Sequence, residues 1–98
     1  MKSECITTNS GSKEWWWGDH LHREDGPAVE RINGDKYWYM NGFCHREDGP
    51  AVEWANGEKN WYIENRCLNL REFINNIDLK LKYPKLIESM IIYLVHNS

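Results

Sequence analysis

The sequence predicts an α+β fold: an antiparallel β-meander of about three 23-residue hairpin-like repeats, capped by one or two C-terminal helices. Three observations predict it. The run LHREDGPAVERINGDK from Leu21 returns as CHREDGPAVEWANGEK from Cys44, an offset of 23, with HREDGPAVE identical at His22–Glu30 and His45–Glu53. Within each unit, turn dipeptides alternate with short runs of aromatic or β-branched residues, the pattern of strands joined by tight turns. After Cys67 the spacing of apolar residues changes from alternation to a helical period.

Extending the register places Trp15, Trp38 and Trp61 in one slot, which divides the repeat region (11–67) into units 11–33, 34–56 and a partial unit 57–67. Thirteen of the twenty-three positions match between the first two, so these segments should share a conformation. In the second unit Tyr37-Trp38-Tyr39-Met40 reads as a strand leading into Asn41-Gly42, a strong signal for a two-residue hairpin. Asn33-Gly34 and Asn56-Gly57 mark further turns at the unit junctions. Gly26-Pro27 and Gly49-Pro50 punctuate the unit interior. Proline cannot donate to a ladder, so the strands Ala28–Ile32 and Ala51–Ala55 should begin just after it. Residues 1–10 show no recognisable element and are read as a tail.

Side chains alternate along a strand, so two aromatic columns should form on opposite faces: Trp15, Trp38 and Trp61 on one, Trp16, Tyr39 and Tyr62 on the other. Equivalent residues two strands apart would be separated by roughly 9.6 Å. One face can be covered by the C-terminal segment (68–98); the other must curl into a core or meet a partner. In that segment Asn69 can cap a helix over Leu70–Ile77, and Pro84 can open a second reaching Val95, with Leu86, Ile87, Met90, Ile91, Leu94 and Val95 at helical spacing. Repeat arrays need atypical ends, so these helices are read as a cap; the alternative use of their apolar stripe is a homodimer.

The chain has 98 residues and a formal net charge of −3. So mild an acidic balance lacks the basic footprint of direct nucleic-acid binding. No apolar run is long enough to span a bilayer, and no secretory leader is evident. Three cysteines without CxxC spacing fit a reducing, cytoplasmic setting better than a disulfide framework.

His22-Arg23-Glu24-Asp25 and its copy His45-Arg46-Glu47-Asp48 contain the residue types of acid–base or metal chemistry. Duplication favours structure: a catalytic centre needs one constellation, whereas a scaffold needs the same bonds in every unit. Cys44 and Cys67 share a slot one repeat step apart, too far for parallel columns to converge on zinc. No catalytic, cofactor-binding or metal residues are therefore assigned. The residues expected to meet a partner are the aromatics Trp16, Trp17, Tyr37, Tyr39 and Tyr62 and the acidic turns Glu24, Asp25, Glu47 and Asp48.

The order of aromatic strand, turn, glycine and turn, from Trp38-Tyr39-Met40-Asn41-Gly42 through His45 and Gly49 to Asn56-Gly57, resembles the MORN repeat. HREDGPA twice in register resembles more specifically the MORN-variant repeats of bacteriophages, giant viruses and bacterial antitoxin-like proteins. The resemblance covers residues 11–67 and implies a scaffold of β-hairpins rather than an activity. It implies a small non-enzymatic viral protein in the host cytoplasm that binds and inhibits a host protein or protein–nucleic-acid complex, an anti-defence inhibitor of the anti-CRISPR type being the concrete version. The alternative is an antitoxin-like or self-assembling repeat protein.

Overall fold

The computed structural model describes residues 3–96. Its strands are β1 (Glu4–Thr7), β2 (Lys13–Trp17), β3 (His20–Leu21), β4 (Val29–Glu30), β5 (Lys36–Tyr37), β6 (Tyr39–Met40), β7 (Phe43–Cys44), β8 (Val52–Glu53), β9 (Lys59–Ile63) and β10 (Arg66–Leu68), followed by helices α1 (Leu70–Ile74), α2 (Ile77–Lys82) and α3 (Pro84–His96). The sheet runs β1-β2-β4-β5-β8-β9-β10, with β3 beside β2, while β6 and β7 pair as a separate ribbon. All pairings are antiparallel, as the meander requires.

The repeat is visible in the register. Glu14, Tyr37 and Asn60, one unit apart, are linked through Val29 and Val52 in a single row across the sheet. Each full unit contributes more strand segments than the two expected, three in the first and four in the second, because the hairpin after the aromatic strand returns through a segment of its own, such as Phe43–Cys44. The strands expected over Ala28–Ile32 and Ala51–Ala55 shorten to Val29–Glu30 and Val52–Glu53. Four-residue turns cut them short, closing at Gly34 and Gly57 with amide bonds to Arg31 and Trp54. Gly34 has φ +102° and Gly57 φ +95°, a conformation that favours glycine. Asn33 and Asn56 fix these turns by accepting the amides of Asp35 (3.0 Å) and Glu58 (2.9 Å).

Residues 1–10 are not simply a tail. Thr7 pairs with Lys13 and Ile6 with Glu14, the pairing that Glu30 and Val29 make with Lys36 and Tyr37 one unit later. The turn between them closes through Gly11 N–H to the Thr8 carbonyl, as the later turns close through their glycines. Segment 4–11 is thus the second half of a degenerate unit. It supplies β2 with an outer neighbour in place of open water.

One sheet face carries the register Thr7, Lys13, Glu30, Lys36, Glu53, Lys59 across six strands. Alternating charges opposite one another are favourable cross-strand pairs, whereas like charges there would repel. Trp15, Trp38 and Trp61 lie two residues further along this face. The first two are covered alike: the Arg23 guanidinium lies 3.9 Å from the Trp15 ring centroid and Arg46 4.1 Å from that of Trp38. The third unit departs before its arginine, and α3 takes over. Trp61 donates its indole N–H to Ser89 (3.1 Å) and packs edge-on against Tyr93.

The main core forms there, from Trp61, Ile63, Leu68, Phe73, Tyr83, Leu86 and Met90. The helical period therefore serves as a cap on the face that bears Trp61. Three helices form it where two were expected. Asn76 accepts the Leu79 amide and opens α2 afresh, which ends the first helix at Ile74. Of the anticipated α3 stripe, Leu86 and Met90 are buried, but Ile91, Leu94 and Val95 remain exposed, as does Ile92.

Candidate functional site

The HREDGPA segments link neighbouring units. His22 Nδ1 accepts the Asn41 amide (2.9 Å), and His45 Nδ1 accepts the Glu64 amide (3.1 Å). Each histidine therefore holds the hairpin turn of the next unit. These turns need the help: Asn41 has φ +52°, and Glu64 and Asn65 have φ +47° and +70°, a region where side chains other than glycine are strained. An accepting Nδ1 puts the proton on Nε2. In the second unit that proton points to Glu47 at 2.8 Å. In the first, His22 Nε2 stands 3.5 Å from Glu24 and makes no hydrogen bond among the described residues.

The arginines are tied as tightly. Arg23 donates to Asp25 (2.9 Å), the Pro27 carbonyl (3.1 Å) and Glu30 (3.1 Å); Arg46 repeats the set with Asp48 (3.0 Å), Pro50 (3.1 Å) and Glu53 (3.1 Å). The Arg23 guanidinium, as hydrogen-bond donor and as charge, holds Asp25 below the ordinary carboxylate range. The guanidinium also explains the glycine of the motif, since a Cβ on Gly49 would come within 2.9 Å of Arg46 Cζ. Ala28 and Ala51 are fully buried. The motif is thereby accounted for by bonds made twice inside the scaffold. Among the described residues no group of three or more His, Cys, Asp or Glu side chains could hold a metal ion.

The nine residues expected at a contact surface divide between two faces. Trp17, Glu24, Asp25, Glu47 and Asp48 belong to the capped side. Trp17 packs on the His22 ring at 5.6 Å, and the four acids line a groove of about 920 Å³ whose floor includes Trp38 and Met40 and whose far wall is Lys82–Lys85. The acids there stand among Arg23, Arg46, Lys82 and Lys85, so the groove has no single sign of charge.

Trp16, Tyr37, Tyr39 and Tyr62 come together on the opposite face. Their register partners show it: Trp16 is across from Leu21, Tyr37 from Val29 and Val52, Tyr39 from Cys44, and Tyr62 from Cys67. The core that joins the helices to the sheet uses Trp61, Ile63 and Leu68, all on the other side, so among the described residues the helical core is built away from these rings. A fifth aromatic joins them. Trp54, 37% exposed, meets the Tyr37 ring edge-on at 5.8 Å and donates to Asn60 (2.6 Å), while Arg31 lies 5.4 Å from the Tyr37 ring on this face. Trp54 was legible two residues beyond Val52 on the same strand face, but Arg31 fills its slot in the first unit and so it does not stand out in a search for repeated aromatics.

Between the rings sit smaller side chains, Leu21, Cys44 and Cys67, giving a ribbed surface. Burial, with lesser help from the Cys44 and Cys67 thiols, raises the Tyr39 and Tyr62 phenols above their ordinary range, so both remain neutral hydroxyls at physiological pH. Burial also pushes the Cys44 thiol up to about 11, with the Cys67 thiol adding to the rise. Cys5 and Cys67 are exposed and all three thiols are free. Iodoacetamide at pH 7.5 is therefore expected to add two groups to the native protein and a third only after denaturation, because the thiolate is the reactive form. Intact-mass spectrometry reads this directly, and a native third adduct would contradict the burial of Cys44.

No helix among the described residues is long and apolar enough to cross a membrane. Compared with protein-family models, with curated proteins and with solved structures, the chain matches none of them.

Proposed function

We propose that this protein is a non-enzymatic protein–protein interaction module whose contact surface is the aromatic face of the sheet. The observation that carries the reading is the gathering of Trp16, Tyr37, Tyr39, Trp54 and Tyr62 on the face away from the helical cap. Large, stiff, partly polar side chains on a rigid sheet are the residues that anchor interfaces, because they bury much area and lose little conformational freedom. The histidines and arginines of HREDGPA, which an enzyme would need free, are engaged in bonds between units and within them. Taken with the resemblance to viral MORN-variant repeats, this supports a reading in which the partner is a host factor and the outcome inhibition, anti-defence action being the concrete case.

Alanine at Tyr39 is expected to weaken binding to the captured partner by more than about 1 kcal/mol, while alanine at Trp17 on the other face leaves it unchanged. Affinity capture from host cells, followed by calorimetry on the purified pair, tests this; equal affinities for both variants would remove the aromatic face from consideration.

A second reading, self-association, draws support from Ile91, Ile92, Leu94 and Val95, which the cap leaves exposed on α3. On that reading a concentration-dependent dimer forms in light scattering and is lost in Leu94→Glu. A wild-type protein that stays monomeric at high concentration would eliminate it.

A further inference from the structure

Resting on the proposal that the aromatic face is the contact surface, we propose that its ligand is a proline-rich segment in the polyproline II conformation, lying across the strands with a basic residue at the β1 end. The first argument is commensurability. Trp16, Tyr39 and Tyr62 occupy equivalent slots two strands apart, as the Glu14–Tyr37–Asn60 row establishes, so successive rings are separated by roughly 9.6 Å. A polyproline II helix repeats every three residues at about 3.1 Å each, or about 9.3 Å per turn. One turn of ligand thus advances by one rib, and three ribs accept successive turns without accumulating mismatch.

The second argument is relief. Each rib is followed by a lower position, Leu21 after Trp16, Cys44 after Tyr39 and Cys67 after Tyr62. Proline rings fit between aromatic ribs of this kind, and the preformed ligand helix loses little entropy on docking.

The third argument is polarity and charge. The two indole N–H groups on this face are already donated, Trp16 to Glu14 (3.0 Å) and Trp54 to Asn60 (2.6 Å), and the Tyr62 hydroxyl is engaged by Cys67, while Tyr39 keeps a neutral hydroxyl that can donate to a carbonyl. A proline-rich backbone presents carbonyls and few N–H groups, which suits such a surface. At the β1 end Glu4 is exposed and pairs across from Trp16, and Glu14 stands two residues before Trp16 on the same face. The two carboxylates give that end of the row a negative charge and set the ligand's direction through its basic residue.

The test is a titration of the full chain, followed by tryptophan fluorescence and calorimetry, with three synthetic probes: a peptide with proline at every third position and one flanking arginine, the same composition with shuffled spacing, and a β-1,4-linked glucose oligosaccharide. The expected result is saturable binding of the periodic peptide, at least tenfold weaker binding of the shuffled one, and none of the oligosaccharide. Tyr39→Ala should weaken the periodic peptide at least tenfold and Trp17→Ala should not. Glu4→Gln should weaken the arginine-bearing peptide about threefold and leave an alanine-flanked version unchanged. Equal binding of periodic and shuffled peptides, no saturable binding, or preference for the oligosaccharide would overturn the proposal. The broader reading is judged separately: if the peptides fail while Tyr39→Ala still abolishes binding to the captured partner, only the ligand class is wrong.

Discussion

Replacing Phe73 by alanine is expected to cost about 3–5 kcal/mol of stability, the largest effect of any single truncation. Phe73 is fully buried and shares its core with Trp61, Ile63, Leu68, Tyr83, Leu86 and Met90. It is the one buried residue of α1, and α2 buries none of its own. The ring therefore joins two short helices, which could not persist alone, to α3 and the sheet. Losing it opens a cavity among large neighbours whose positions are set by the sheet on one side and α3 on the other. Small domains have total stabilities of about 5–15 kcal/mol, so the variant should melt tens of degrees lower, or fail to fold near physiological temperature. Circular dichroism through the thermal transition measures it, and Ile74→Ala, at a 43% exposed neighbour, is the control expected to lose less than about 1 kcal/mol. Equal melts for the two would show that the cap does not depend on this core.

Arg46→Ala is expected to cost about 2–3 kcal/mol, a fall of roughly 10–20 °C in melting temperature for a domain of this size. The guanidinium covers the Trp38 ring and satisfies the Pro50 carbonyl and Glu53 together. Truncation exposes one aromatic face and takes the arginine donor from three acceptors, Asp48, the Pro50 carbonyl and Glu53. Lysine should rescue little, because a single ammonium on a flexible stem cannot reproduce a planar fork that stacks and bonds in three directions. Arg23→Ala should behave alike, since it makes the same bonds one unit earlier. That parity is the decisive measurement. A motif retained for chemistry at one centre would make one arginine matter to function and the other not, with little change in either melt.

Much of this was legible because a repeat confines the answer. Thirteen shared positions made the two full units equivalent, Asn41-Gly42 located the hairpin, and alternation assigned the two tryptophan–tyrosine columns to opposite faces. The half-unit at residues 4–11 was not legible. Against Pro27–Gly34 it keeps Gly11 and an apolar residue at Ile6, but it has Thr7 where the others have glutamate and Cys5 where they have alanine. An edge strand that is not enclosed needs neither the glutamate that receives arginine nor the small residue that fits under it, so the signal had decayed. The sites divided for a related reason. Trp16 and Trp17 are adjacent in sequence and aromatic alike, yet a strand sends them to opposite faces, and only the position of the cap decides which face stays open. The acidic turns were grouped with the aromatics by composition; the register separates them.

The histidine bonds carry a consequence for length. The second unit offers a ring nitrogen forward and receives one on its own hairpin, so peg and socket are built into the same 23 residues. At the far end the histidine slot is taken by Leu68, which is buried in the cap. Growth of the array is thus stopped by a change of residue rather than by any limit in the units. Duplicating residues 34–56 between the second and third units would leave every junction chemically complete and lengthen the ribbon by two strands. The protein behaves as a ruler whose graduations are interchangeable and whose two ends are not.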